Sequence, residues 1–401
     1  MPQKMGAAGR RIIPLRLHSQ LAGFPLYNNF GVARAIGGPT LLYISHKIEC
    51  CIQRSFMSTA TPPSPSNRIH VLGVGNLGRL FAHALAKAES PPPITLLLHR
   101  ASLIKEWEQA GRRIQVTTND SPDQTGAFDI ELATPEGPQD VIDNLIVTTK
   151  ATKTVQALST IKHRLTSNST ILLAQNGMGT AEELSEAVFR DSSKRPSYLA
   201  CVTSHGVYSE GPFRSVHAGQ ASVAIGRIAQ STAPQYLIDR IVQAPVLSAR
   251  EVSPPELLLL QLEKLVVNAM INPLTVIFNC RNGELFNRGA IVRIMRLLLQ
   301  EASKVLRSLP ELQDESTTMS RFSEGALERI ILDVADKTAK NTSSMLQDVR
   351  AGRETEIEYI NGYLVERGKL AGVDCKVNEK LVMMVKEGTV ITVDEASEYF
   401  P

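Results

Sequence analysis

Acidic residues are missing from the first 48 positions of this 401-residue chain. That stretch carries Lys4, Arg10, Arg11, Arg16, Arg34 and Lys47, and the first acid is Glu49. Without those six cations the net charge of +3 becomes −3, so the rest of the chain offers no basic face for nucleic acid. No uninterrupted run of about 18 apolar residues occurs, and no membrane span is expected. Cysteine is scarce: Cys50, Cys51, Cys201, Cys280 and Cys375 fit neither a zinc ribbon nor a disulfide framework. No local signature marks a Cys–His nucleophile, and no metal site is expected. What remains is ordinary globular composition, 43% hydrophobic and 21% charged, with a length that suits two domains and an appendage.

The appendage is residues 1–66. Its arginines, its serines and threonines and its lack of acid match the composition of a mitochondrial transit peptide, with the cytoplasm as the alternative location. A disordered extension without a targeting role is the other reading, and Met57 would open a shorter product. TATPPSPSN (59–67) reads as a linker because Pro and Ser dominate it.

From Arg68 the pattern is strand, helix, strand. RIHVLGVG (68–75) is a β-rich run, NLGRLFAHALAKA (76–88) has helical spacing, and ITLLLHR (94–100) is a second buried strand. Runs at 113–118, 128–133, 144–150, 169–177 and 221–226 and the stretch YLACVTSHGV add further strands, with helical segments between several of them. This alternation predicts an α/β domain over 67–250 with a mostly parallel sheet. From about residue 253 long segments of period near 3.6 predict an all-α domain over 251–395.

Gly73-Val74-Gly75-Asn76-Leu77-Gly78 follows a strand and opens a helix. In that setting the three glycines serve a tight turn, close approach of a pyrophosphate, and close helix–sheet packing. The second strand ends in His99 and Arg100, not in the carboxylate that would hold an NAD ribose. A guanidinium there can hold a 2′-phosphate, so NADP(H) is the expected cofactor. Lys150 and Asn176 stand at two further strand ends, where open α/β sheets bind ligands.

KLVVNAMINP (264–273) places Lys264, Asn268 and Asn272 at i, i+4 and i+8 on one face of an otherwise apolar helix. A lysine there is costly without partners. A buried Lys–Glu pair with bridging asparagines is the bland explanation. Asn282 in a turn and the cluster Asn341-Thr342-Ser343-Ser344 would complete a cup for a small oxygenated acid.

The stretches VLGVGNLG, VTTKA, LLAQNGMGT, SHG, KLVVNAMINPLT, NCRNGEL and NTSSMLQDVRAGRETEIEYINGYL resemble the ketopantoate reductases, in order and across residues 69–365. The resemblance implies a Rossmann-type domain joined to an all-α domain like the C-terminal domain of 6-phosphogluconate dehydrogenase. It implies NADPH-dependent reduction of 2-dehydropantoate to (R)-pantoate, toward pantothenate. Lys264 matches the catalytic lysine. Asn268, Asn272, Asn282, Asn341 and Ser344 match substrate-contacting positions. Gly73, Val74, Gly75, Asn76, Leu77, Gly78, Arg100, Lys150, Asn176, Val207 and Glu356 match cofactor-contacting positions. Ser344 and Glu356 would be about 18 Å apart on one continuous helix, too far to share one small acid. His205, in TSHG, is expected to support the site from behind or to be structural. Two departures stand out: the extension lies outside the family pattern, and Val207 falls where a smaller residue can occur. The expected partner is a small 2-oxo acid, with the chain a monomer or homodimer. The alternatives are a related NADP-dependent 2-oxo acid or hydroxyacid dehydrogenase and a non-catalytic mitochondrial paralogue.

Overall fold

The computed structural model describes residues 66–401 apart from 230 and 313–315. The expected extension, with Cys50 and Cys51, lies outside the described residues except for Ser66.

An eight-stranded sheet forms the first half. Its order is Ala249–Glu251, Val223–Arg227, Ser197–Thr203, Thr170–Leu173, Asn144–Val147, Ile69–Leu72, Ile94–Leu98 and Asp129–Leu132. All neighbours are parallel except Val223–Arg227 against Ser197–Thr203. The four strands Thr170–Leu173, Asn144–Val147, Ile69–Leu72 and Ile94–Leu98 are buried at every position, as strands covered on both faces must be. Ile69–Leu72 lies between Ile94–Leu98 and Asn144–Val147, so successive connections leave it in opposite directions and open a crevice at its carboxyl end.

A second, four-stranded sheet is a feature the sequence reading lacked. Its order is Ser121–Thr125, Ile114–Thr118, Arg214–Gly219, Gly206–Gly211. The hairpin turn is Asn119-Asp120, both at positive φ, as a tight turn between right-twisted strands requires. The sheet covers helix Asn76–Ala86, and Arg79 fastens it. The Arg79 guanidinium donates to the Gly211 and Arg214 carbonyls at 3.0 and 2.9 Å and lies over the Phe213 ring.

The second half is helical. Its axis is Pro254–Ile277, started by Ser253, whose side chain accepts from the Glu256 N–H, and by proline in the first turn. In length and composition this helix could cross a membrane, but its apolar residues are packed as the core of the helical half. Pro273 sits inside it and cannot donate to the Ala269 carbonyl. The fully buried Asn361 carboxamide donates to that carbonyl instead, at 3.0 Å. Gly289–Arg307, Glu324–Lys337, Ile357–Ala371 and Lys376–Glu387 surround the axis, and the core extends to Ala396 and Phe400, beyond position 395.

Two expected elements are broken. The segment from Ser344 is not one helix: Ser344–Arg350 ends in a turn with Gly352 at φ +63°, and Ile357–Ala371 starts afresh. The 18 Å separation of Ser344 and Glu356 therefore has no basis. YLACVTSHGV is not one strand either: Ser197–Thr203 ends in the first sheet, and Gly206–Gly211 begins in the second.

Candidate active site

The glycine turn occupies the crevice at the end of Ile69–Leu72. Gly73 takes φ +97°, and a Cβ there would lie 2.5 Å from the Thr149 nitrogen. At Gly78 a Cβ would stand 2.3 Å from the Gly73 carbonyl oxygen and 2.6 Å from the Thr148 hydroxyl. The protein's own packing demands glycine at both positions. Gly75 differs, since a Cβ there would meet no atom of the described residues within 4 Å. Helix Asn76–Ala86 begins at Gly75 without a side-chain cap or an acid in its first turn, leaving N–H groups and partial positive charge over that open space. These residues, with Val74 and Leu77 in the turn, fit the phosphates of a dinucleotide. Arg79, which no sequence signal singled out, holds the turn by donating to the Val74 carbonyl at 3.2 Å.

Lys150, Asn176 and Glu356 are brought together. Glu356 is 5% exposed; its carboxylate accepts from the Ala151 N–H at 3.0 Å and from the Asn176 carboxamide at 3.5 Å, and faces the Lys150 ammonium at 3.7 Å. Arg353, three residues before it, pairs with Asp348 instead. Burial pushes the Glu356 pKa up, and Lys150 is the largest opposing influence. Lys150 also pairs with Asp348, a buried carboxylate that the sequence reading missed and that Arg353 grips from its other oxygen at 3.0 Å. Its only trace in the sequence is an acid among the apolar neighbours Leu346 and Val349. The Met178 N–H donates to the Tyr359 carbonyl, and the Tyr359 hydroxyl to Glu183, so the two halves are stitched together beside this cluster.

Lys264 lies across the same gap. Its ammonium donates to the backbone carbonyl of Thr203. A narrow cleft is lined by Lys264, Gln261, Thr203, Cys201, Asn176 and Gln175 among others. The helical-half lysine and the sheet-half carboxamide therefore face one space. Desolvation pulls the Lys264 pKa below 10.5, with Cys201 and Glu356 opposing. The Cys201 thiol, buried and facing Lys264, is pushed up to about 12 and is a poor nucleophile.

Asn268 is half-buried and Asn272 buried, and among the described residues neither carboxamide has a hydrogen-bond partner. The bland alternative, a buried Lys–Glu pair bridged by asparagines, is not what the helix carries. Asn282 and Asn341 meet through their backbones, the Asn282 N–H donating to the Asn341 carbonyl at 3.1 Å. The Asn282 amide nitrogen donates to the Thr338 hydroxyl at 2.9 Å, while its buried Oδ1 has no partner among the described residues. Asn341 and Ser344 are exposed. Ser343 is the buried serine of that cluster: it caps Ser344–Arg350 and shares a 2.6 Å hydrogen bond with Thr275. Arg100 is exposed at the end of Ile94–Leu98, donating to the Ser102 hydroxyl at 2.8 Å and to Glu106 at 3.3 Å. Val207 is half-buried at the start of the second sheet and lies opposite His217. A larger groove on that sheet, lined by Glu106, Arg113 and Arg214 among others, contains none of the predicted residues.

Two family models match this chain: "Ketopantoate reductase PanE/ApbA" over residues 69–230 and "Ketopantoate reductase PanE/ApbA C terminal" over residues 256–389. Ketoisovalerate reductase BEA2 of Gibberella fujikuroi is 31% identical over 373 residues, covering 80% of this chain and 82% of that one. The 2-dehydropantoate 2-reductase of Shigella flexneri is 32% identical over 332 residues, covering 80% and 94%. The crystal structure named "Probable 2-dehydropantoate 2-reductase panE from Bacillus Subtilis" superposes with a TM-score of 0.62 at 26% identity, over 80% of this chain and 99% of that one. D-mandelate dehydrogenase with NADH and anilino(oxo)acetate, at 21% identity and a TM-score of 0.63, covers 82% and 99% and shares the fold.

Proposed function

The chain belongs to the ketopantoate reductase family, and from that premise we propose that it reduces 2-dehydropantoate to (R)-pantoate with NADPH. The observation that carries the proposal is Lys264, a desolvated ammonium facing the cleft that Asn176 lines from the dinucleotide half. The reduced nicotinamide, when bound, supplies hydride to the C2 carbonyl carbon. Lys264 stabilises the charge that develops on the carbonyl oxygen and donates the proton. Its lowered pKa brings the acid nearer working pH. Asn268 and Asn272, on the next two turns, offer uncharged donors and acceptors to the substrate's oxygens. The unpartnered Asn282 Oδ1 is a further acceptor. Glu356 and Asn176 hold the end of the cofactor nearest the substrate, and the glycine turn holds its phosphates. Arg100, with Ser102 beside it and no carboxylate ending that strand, favours a 2′-phosphate once it exchanges Glu106 for it.

A second reading has specific support, because three of the similar fungal proteins are named ketoisovalerate reductase. Both substrates are branched 2-oxo acids, and the same lysine would serve either. Initial rates with 2-dehydropantoate, 2-ketoisovalerate and unrelated 2-oxo acids, each with NADPH and with NADH, separate the readings. No turnover of any 2-oxo acid would refute both. For the acid-free segment we propose mitochondrial import, tested by imaging fluorescent fusions that start at Met1 and at Met57.

A further inference from the structure

His205 and His217 lie behind Lys264 rather than in the cleft. His205 comes two residues after Thr203, whose carbonyl accepts from the Lys264 ammonium. The Ala221 N–H donates to His205 Nδ1 at 3.1 Å, and His205 Nε2 faces the Leu247 carbonyl at 3.1 Å. A backbone N–H can only donate and a carbonyl can only accept, so these two groups fix the ring: Nδ1 bare, Nε2 protonated. His217 Nε2 stands 2.9 Å from the same Nδ1 and is the donor, sharing the one lone pair of Nδ1 with the Ala221 N–H; the Gly219 carbonyl also lies against both rings. That leaves His217 Nδ1 bare, and it is buried without a hydrogen-bond partner among the described residues. The rings meet edge to face with centroids 4.8 Å apart, and His217 is 2% exposed.

The joint these rings hold is where the chain leaves one sheet for the other. Thr203 ends a strand of the first, Gly206 begins a strand of the second, and His217 lies on the neighbouring strand of the second. Without a fixed joint the Thr203 carbonyl would not keep one direction. The charged group facing the pair is Lys264, from the long helix. Burial lowers the pKa of both rings; Lys264 acts the same way on His205, and His205 on His217.

We propose that the His205–His217 pair is a positioning element for Lys264: locked in one neutral tautomer, it fixes the 203–205 turn and keeps the Thr203 carbonyl aimed at the lysine ammonium. This rests on the catalytic reading of Lys264. His205→Leu removes both of the ring's polar roles, and kcat at pH 8 should fall about tenfold while KM for NADPH stays within about twofold. His205→Asn keeps an acceptor near the position of Nδ1 and should recover at least a third of wild-type turnover. Equal kcat in wild type and His205→Leu overturns the proposal, as does a loss confined to KM. A readout independent of turnover is the Lys264 titration midpoint, followed by NMR of ¹³Cε-labelled lysine. It should fall by about one pH unit in His205→Leu, because the ammonium loses its acceptor. Wild type inactive on every 2-oxo acid would sink the reaction, whereas an unmoved midpoint sinks the positioning role. If His205→Leu does not fold, ¹⁵N spectra of the wild-type histidines decide: both rings must be Nε2–H at pH 7, and an Nδ1–H tautomer or an imidazolium refutes the lock.

Discussion

Replacing Gly75 and Gly78 separately by alanine separates what the fold requires from what the ligand requires. At Gly75 the backbone is extended, at φ −80° and ψ −162°, which any residue adopts, and the added methyl meets nothing. Folding stability should change by less than about 0.5 kcal/mol, with a small gain from the stiffer unfolded chain. The methyl would instead stand where the phosphates approach the turn, so NADPH affinity should fall at least about 100-fold, or about 2.7 kcal/mol. At Gly78 the methyl would lie 2.3 Å from a backbone oxygen that closes the turn and cannot swing aside as a side chain would. Helix and strand must part, which costs about 1–3 kcal/mol or more and also weakens NADPH binding. Chemical denaturation with a fluorescence titration of NADPH on each variant gives both numbers. Wild-type NADPH affinity in Gly75→Ala would refute the placement of the phosphates. A loss of more than about 1 kcal/mol of stability there would refute the open space itself.

Other outcomes follow from the same geometry. Lys264→Ala should lower kcat by about 10²–10⁴-fold and leave NADPH binding largely intact; unchanged turnover would remove Lys264 from the chemistry. On the proposed mechanism the protonated amine is the acid, so wild-type kcat for reduction should fall as pH rises through a value below 10.5, and a limb at or above 10.5 would contradict the desolvation. Asn361→Leu strands the Ala269 carbonyl and the Asn378 carboxamide oxygen and should cost about 2–3 kcal/mol in denaturation. Adding Pro273→Ala should return about 1 kcal/mol by supplying the missing N–H; no recovery would mean that Asn361 does not substitute for the proline. Buried His70 has its pKa lowered from 6.5 to about 4 by burial, with Arg164 and Arg68 adding to the effect. The folded state refuses a proton that the unfolded chain accepts, so its contribution is complete above pH 6.5 and declines below it. The decline is about 2 kcal/mol by pH 5, from 1.5 pH units at about 1.36 kcal/mol each. His70→Gln should flatten the stability difference between pH 7 and pH 5 by that amount, and an unchanged slope would refute it.

Much of the fold was legible because its signals are local. The strand–glycine–helix run, and a lysine on an apolar helical stripe, are each contained within a dozen residues. The second sheet was not, because SPDQT is polar and mostly exposed and RSVHAG alternates too weakly to stand out. The break after Thr203 was hidden by an unbroken β-like composition on both sides. The break near Gly352 was hidden by a helical period that continues past it in a different helix. Asp348 and Arg79 stand beside the candidate site only through partners far away in the chain, Lys150 and the 211–214 turn. No periodicity encodes such pairings. Glu356 was singled out, but its burial against Ala151 is likewise a fact of the folded chain.

The long helix that starts at Ser253 carries Lys264 and the asparagines on one rigid rod, while the glycine turn and Arg100 lie entirely upstream. A gene fusion crossing over at about residue 252 would thus transplant the proposed proton donor and the asparagines as a single cassette, leaving the Gln175–Thr203 wall of the cleft, the glycine turn and Arg100 with the recipient. Hybrids between relatives acting on different 2-oxo acids should inherit their substrate from the donor of the downstream piece, provided the Thr203 carbonyl that greets the incoming lysine is supplied by the upstream one.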